Sequence, residues 1–147
     1  MIEIQKWDDK SPMSTQKFEE INQFLYKYLQ EYGDPKEDIA NAMCYSLNEN
    51  KKETSGFVLA AYSNNEIVGA AVINETGMGG YIPENILVYI ATHAQHRGKG
   101  IGKSLMEATI QNCKGAIALH VEPDNPAKKL YEKIGFKNKY LEMRYIK

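Results

Sequence analysis

Hydrophobic and polar positions recur along this chain with two periods, near two and near 3.6, and the switches between them divide it into elements. Ile2, Ile4 and Trp7 begin it as a short strand, which Ser11-Pro12 breaks. Phe18, Ile21, Leu25, Tyr28, Leu29 and Tyr32 then recur at three and four, the spacing of one helix face. Gly33-Asp34-Pro35 stops that helix and starts another, with Ile39, Met43 and Leu47 on one face. The apolar runs Phe57–Tyr62 and Ile67–Ile73 flank Ser63-Asn64-Asn65 and read as a hairpin. Gly77-Met78-Gly79-Gly80 is a loop before a strand over Asn85–Thr92. A helix follows from about Lys99 to Cys113, with Ile101, Leu105 and Ala108 inward and Lys114-Gly115 at its end. Ala116–Val121 reads as a strand and Glu122-Pro123-Asp124-Asn125-Pro126 as a turn. The next helix has Pro126 near its first position, a face of Ala127, Leu130, Tyr131 and Ile134, and Gly135 as its cap. Phe136 to Lys147 is expected to form one or two closing strands. This order predicts an α/β fold, a mixed sheet with helices on both faces.

Composition adds bounds more than content. With 147 residues, 43% of them hydrophobic and 25% charged, a single domain over residues 1–147 is expected. A formal net charge of −1 gives no reason to expect nucleic acid or an anionic membrane as partner. Cys44 and Cys113 form no C-x-x-C pair and read as buried structural thiols of a reducing compartment. The first residues have no basic stretch followed by an apolar core, and no apolar run is long enough to span a bilayer. The expected location is therefore cytoplasmic, as a monomer or homodimer.

The candidate chemistry lies where the strand Asn85–Thr92 hands over to the helix, at Gln95-His96-Arg97-Gly98-Lys99-Gly100-Ile101-Gly102-Lys103-Ser104. The first N–H groups of a helix have no partner within it and carry a partial positive charge, worth about 0.3–1 kcal/mol per anion contact. Glycines let the main chain approach a phosphate, and Arg97, Lys99 and Lys103 add positive charge. Three phosphate-loop patterns compete. The dinucleotide pattern G-x-G-x-x-G is met at Gly98 and Gly100 and fails at Lys103. The triphosphate loop G-x-x-x-x-G-K-S is met at Gly102-Lys103-Ser104 and fails at Arg97, where its first glycine belongs. R/Q-x-x-G-x-G/A is met in full from Arg97 to Gly102, and again from Gln95 to Gly100. Alone it is a weak signal, since a glycine-rich turn without a ligand has the same letters.

A second element stands at Asn125-Pro126-Ala127-Lys128-Lys129-Leu130-Tyr131-Glu132-Lys133-Ile134-Gly135-Phe136. N-x-A-x-x-L-Y-E-K-x-G-F after a strand, with R-x-x-G-x-G upstream, resembles the acyl-CoA-dependent GNAT superfamily of N-acetyltransferases. The resemblance implies a mostly antiparallel sheet of six to seven strands whose fourth and fifth members splay apart, with acetyl-CoA as co-substrate between them. It implies that the main-chain N–H groups of Arg97, Gly98, Lys99, Gly100, Ile101 and Gly102 hold the CoA pyrophosphate. Ile90, Ala91 and Thr92 would pair with the pantetheine arm as an added strand does, and Asn125 would bond that arm from the other side. Tyr131 matches the family's general acid and would also touch the cofactor. A thiol of pKa near ~8.5 leaves readily, and a tyrosine near ~10 can protonate it or hydrogen-bond it. Asn125 keeps a second reading as a helix cap, and Tyr131 as a core aromatic. No metal is implied.

The base is less marked. Ile86 stands where some members carry a glutamate; Glu84, two residues earlier on the same face of a regular strand, is the candidate catalytic carboxylate. A solvated strand-end carboxylate is its competing reading. His93, His96 and His120 are the other titratable groups nearby, and none is assigned as base. Freeing an amine of pKa ~10.4 at pH 7 costs about 4–5 kcal/mol, and an α-amine near ~8 only about 1, so a weak base leans toward an α-amino acceptor. The resemblance implies that Tyr28, Glu31, Tyr32, Gly33, Asp34 and the loop Thr76–Tyr81 border the side from which it would enter. The expected activity is transfer of acetyl from acetyl-CoA to a primary amine of a small molecule such as an amino acid. Acetylation of a protein N-terminus or lysine, and a non-catalytic CoA-binding regulatory module, are the competing readings.

Overall fold

The computed structural model describes residues 1–51 and 53–147. Helices begin and end where side chains and turns satisfy loose main-chain groups. The first, α1 (Thr15–Leu29), starts at Ser14, whose hydroxyl accepts a hydrogen bond from the Lys17 N–H at 3.1 Å. It tightens into a 3-10 turn at Gln30–Tyr32. Helix α2 (Lys36–Ser46) follows Pro35 and carries Glu37 and Asp38 in its first turn, where the helix dipole favours negative charge. Helix α3 (Ile101–Asn112) starts when Gly100 takes the left-handed conformation, and α4 (Ala127–Ile134) follows Pro126.

The strands β1 (Glu3–Trp7), β2 (Gly56–Ser63), β3 (Glu66–Glu75), β4 (Asn85–Thr92) and β5 (Ile117–Leu119) lie in chain order across one sheet. The first four pair antiparallel, and β5 runs parallel to β4. Helices α1 and α2 cover one face, packing Ile21, Leu25, Ile39 and Met43 on Val58, Ala60, Ala70 and Val72. Helices α3 and α4 cover the other, packing Ile101, Leu105, Met106 and Tyr131 on Leu59, Ala61, Val68 and Leu87. Strands β2 and β3 are thus buried on both faces, so they read as unbroken apolar runs rather than alternating ones. Cys44 and Cys113 are free, half-buried thiols that burial pushes up to about 11. No helix among the described residues is long and apolar enough to cross a membrane.

Two irregularities shape β4. Val72 pairs with Tyr89 while Ile73 pairs with Leu87, which leaves Val88 as the extra residue of a bulge. The bulge reverses the side-chain alternation: Leu87 faces α3 and α4, whereas Tyr89 and Ala91 face α1 and α2. Pairing with β5 also stops there, at Leu87 opposite Leu119. From Val88 to Thr92 the β5-facing edge of β4 has no strand beside it among the described residues, so the two strands part. The closed end is pinned by Asn85, 3% exposed, whose side-chain amide donates to the Lys114 and Ala116 carbonyls at 2.8 and 3.2 Å.

Among the described residues the sheet has five strands rather than six or seven, and its last strand is shorter than Ala116–Val121. Residues 136–147 take up no strand: a strand needs a hydrogen-bonding neighbour, and among the described residues none lies beside them. A Cβ added at Gly69 would lie 2.8 Å from Leu105 Cδ1 and 2.9 Å from Ile101 Cγ2, so β3 and the start of α3 touch through this one small residue. Gly69→Ala is therefore expected to destabilise the fold by about 1–3 kcal/mol through overpacking, read as a lowered urea midpoint.

Candidate active site

The glycines after β4 serve two different needs. Gly98 and Gly100 have φ of +80° and +81°, and a Cβ at either would meet nothing within 4 Å. The main-chain conformation, not crowding, calls for glycine there. Gly102 is the reverse: its Cβ would lie 3.2 Å from Leu130 Cδ2 and 3.8 Å from Thr92 Oγ1. The start of α3 is thereby pressed against α4 and the end of β4. Among the described residues no side chain caps α3, so its first N–H groups remain available to an anion in open space. Arg97 and Lys99 are exposed beside them, and Lys103 contacts Glu107 at 4.0 Å on the surface. Arg97 also donates through Nη2 to the Tyr28 carbonyl at 3.3 Å, tying this loop to the end of α1. His93 accepts the Gln95 N–H on Nδ1 at 3.1 Å and packs its ring between Tyr28 and His96, with centroids 4.5 and 5.2 Å away. Its place is in shaping the turn.

Ile90, Ala91 and Thr92 lie on the stretch of β4 that β5 has left. Asn125 accepts the Ala127 N–H on Oδ1 at 2.9 Å, which makes it the cap of α4. Its Nδ2 hydrogens have no acceptor among the described residues. Tyr131 is 8% exposed, packs with Ile101, Leu105 and Met106, and has its ring 6.1 Å from that of Phe136. Its hydroxyl makes no hydrogen bond among the described residues, and burial pushes its pKa up to about 12. Core packing and a tightly held proton coexist in this one side chain. Glu84 is elsewhere. It accepts the Ala116 N–H on Oε1 at 3.2 Å and packs on Gly115, so it plugs the closed end of the β4–β5 pair. Ile90 is six residues further along, about 20 Å at the rise of a strand. The structure brings the glycine loop, the end of β4 and α4 together, and keeps Glu84 apart.

The opposite face of β4 carries a pair that sequence patterns do not reveal. Tyr89 turns toward α1 and α2 and donates its hydroxyl to Asp34 Oδ2 at 2.5 Å. Burial first, and this hydrogen bond second, hold its hydroxyl well above the usual tyrosine range. Asp34 itself is exposed, on the loop between α1 and α2. In the same loop Tyr32 donates to the Asp124 carbonyl at 3.4 Å, so the loop reaches across to the turn between β5 and α4. The one advance signal for Tyr89 is that it is the lone polar-tipped residue in Ile86–Ala91. Among the described residues, no three His, Cys, Asp or Glu side chains are placed to hold a metal ion.

The family model for the acetyltransferase (GNAT) domain matches residues 54–138, more than half of the chain. The chain belongs to that family. Among solved structures, a ribosomal-protein-alanine N-acetyltransferase from Brucella melitensis biovar Abortus 2308 superposes with a TM-score of 0.70 at 19% identity, covering 99% of each chain. The aminoglycoside N-acetyltransferase AAC(6')-Iy in complex with CoA gives 0.69 at 18% identity, over 100% of this chain and 95% of that one. A protein from Pyrococcus horikoshii OT3 gives 0.71 at 21% identity, over 97% and 93%. At these identities the likeness is one of fold.

The raised pKa of Tyr131 has a checkable sign. The folded state holds this proton more tightly than the unfolded chain, so its contribution to stability is complete below pH ~10 and is lost as pH rises toward 12. In a ring-labelled sample at pH 10.5, one tyrosine resonance that remains protonated is expected to vanish in Tyr131→Phe. Ionisation of that residue near 10 would contradict the burial argument.

Proposed function

We propose that this protein transfers the acetyl group of acetyl-CoA to a primary amine of a small molecule such as an amino acid, with both substrates bound together. The observation that carries the proposal is the parting of β4 and β5 after Leu87 and Leu119, beside a helix start whose N–H groups no side chain caps. An extended acyl-bearing arm would fill such a gap, and a pyrophosphate suits such a helix start. The positive φ of Gly98 and Gly100 and the open space around them fit that group.

In this reading the N–H groups from Arg97 to Gly102 hold the pyrophosphate, with the positive charge of Arg97, Lys99 and Lys103 around it. Main-chain groups of Ile90, Ala91 and Thr92 pair with the pantetheine arm and polarise the thioester carbonyl. The Nδ2 of Asn125 bonds the same arm while its Oδ1 keeps the helix cap. Attack by the amine nitrogen on the carbonyl carbon forms the amide and breaks the carbon–sulfur bond. Tyr131 offers its hydroxyl hydrogen to the departing sulfur. Asp34, oriented by Tyr89, supplies the fixed negative charge that attracts the acceptor amine. Glu84 keeps its structural place at the closed end.

A panel of amino acids, polyamines, aminoglycosides and a peptide with a free α-amine, assayed with acetyl-CoA as thiol released, tests the acceptor class. The small amines are expected to turn over faster than the peptide. Tyr131→Phe is expected to lower kcat at least tenfold while CoA binds within about twofold of wild type; unchanged turnover would remove Tyr131 from the reaction. Asp34→Asn is expected to raise KM for the amine about tenfold and leave KM for acetyl-CoA unchanged. Tight CoA binding without turnover of any amine would favour the regulatory module instead.

A further inference from the structure

Helix α1 lines a second groove, on the face of the sheet opposite α3 and α4. Its stretch from Lys17 to Tyr28, about 16 Å of helix, looks across an open space of about 460 Å³ to the β2–β3 turn and the end of β4. That space falls within the roughly 300–1,000 Å³ of small-molecule sites. Its floor is apolar and aromatic, formed by Phe24, 8% exposed, with half-buried Tyr62 and Ile67 packed on the core beneath. Phe24 leads on to Tyr28, ring centroids 4.7 Å apart, and Tyr28 to His93 at 4.5 Å, so the groove ends in a wall of rings.

The rims carry four formal charges. Lys17 and Glu20 answer each other at 3.0 Å. Lys27 lies 5.3 Å over the Tyr28 ring and has no carboxylate partner among the described residues. Glu66, on the facing rim and 66% exposed, has one ion-pair neighbour among them, His93 Nε2 at 3.9 Å. The groove therefore keeps one open charge of each sign above a flat apolar floor. A planar ring bearing both a carboxylate and an ammonium group meets all three features. A ring with a single charge leaves one rim charge unanswered.

The ring wall also holds the glycine loop. The Tyr28 carbonyl accepts Arg97 Nη2 at 3.3 Å, and His93 Nδ1 accepts the Gln95 N–H at 3.1 Å. The His93 N–H is fixed in turn on the Val68 carbonyl at 2.9 Å. Whatever rests against Tyr28 and His93 restrains the two groups that position the turn before α3. We propose that this groove binds a free aromatic α-amino acid as an effector, its carboxylate on Lys27 and its ammonium on Glu66, and that its occupancy tightens the binding of acetyl-CoA. A turn already ordered from the groove side loses less freedom when the pyrophosphate settles on it, and by linkage acetyl-CoA tightens the effector by the same factor.

Calorimetry on the protein without acetyl-CoA tests the site, so its result is separate from whether any amine is acetylated. L-Phenylalanine and L-tryptophan are expected to bind once per chain. Phenylpropionate without the ammonium, phenethylamine without the carboxylate, and L-leucine without the ring should each bind at least tenfold more weakly. Lys27→Ala and Glu66→Gln, each with a wild-type far-UV spectrum, should weaken L-phenylalanine at least tenfold, whereas Asp34→Asn on the acceptor side should leave it unchanged. Saturating L-phenylalanine should lower the Kd of acetyl-CoA about fivefold or more and slow hydrogen exchange at residues 94–98. Lys27→Ala should keep the basal acetyl-CoA affinity and lose this response. No binding at millimolar ligand, equal binding of the three analogues, loss of binding in Asp34→Asn with retention in Lys27→Ala, or an acetyl-CoA affinity indifferent to saturating ligand would each overturn the proposal.

Discussion

Strands β4 and β5 share hydrogen bonds over three residue pairs, and the site follows from where that pairing stops. Asn85 holds one end shut with two bonds from a buried amide. At the other end β5 gives way to a turn containing Pro123 and Pro126, which have no N–H to continue a ladder. Strand β4 goes on alone to Thr92 because β3 supports its other edge as far as Gly69. A gap between parallel strands, with main-chain groups left bare, is costly unless something occupies it. The fold accepts that cost at one place, next to the uncapped start of α3.

The bulge at Val88 makes the same strand serve two faces. Without it Leu87, Tyr89 and Ala91 would share one side. With it Leu87 joins the core under α3 and α4 while Tyr89 reaches Asp34 on the other. Side chains for both faces of the sheet thereby come from neighbouring residues of one β-strand. The loops that frame them are tied to one another by Arg97 to the Tyr28 carbonyl and Tyr32 to the Asp124 carbonyl.

Much of the fold was legible because the apolar rows are long and regular. The α1 face from Phe18 to Leu29, the β2–β3 hairpin and the Gly-rich start of α3 all stand within a few residues of where periodicity puts them. A local motif was legible too: Gly98 and Gly100 answer to the main-chain conformation of one turn, and Gly102 to the close approach of α4. What depends on pairing between distant segments was not. The bulge leaves no mark in the alternation of Ile86–Ala91, since every residue there is apolar or aromatic. Glu84 reads as a carboxylate near the site, but Ala116, 32 residues away, claims it. The closing segment has strand alternation, but among the described residues no strand lies beside it to pair with.

The environment of Tyr131 narrows what it can do to a leaving thiol. Its proton is held with a pKa of about 12, because the ring is buried and the hydroxyl has no partner that would stabilise the phenolate. A thiolate whose conjugate acid lies near ~8.5 is the weaker base by more than three units, so complete transfer from tyrosine to sulfur would be uphill by roughly 5 kcal/mol. Donating a hydrogen bond to the sulfur as its charge develops carries no such cost, and a buried donor without a competing partner is suited to it. In the proposed reaction Tyr131 would then act by stabilising the departing thiolate, and the proton that finally reaches sulfur would come from solvent or from the amine. In the same proposal the acceptor side follows the opposite rule, with the Asp34 carboxylate exposed where an ammonium group would first be attracted and then give up its proton. Burial of the hydroxyl and exposure of the carboxylate, on opposite faces of β4, would divide the two tasks of the proposed reaction.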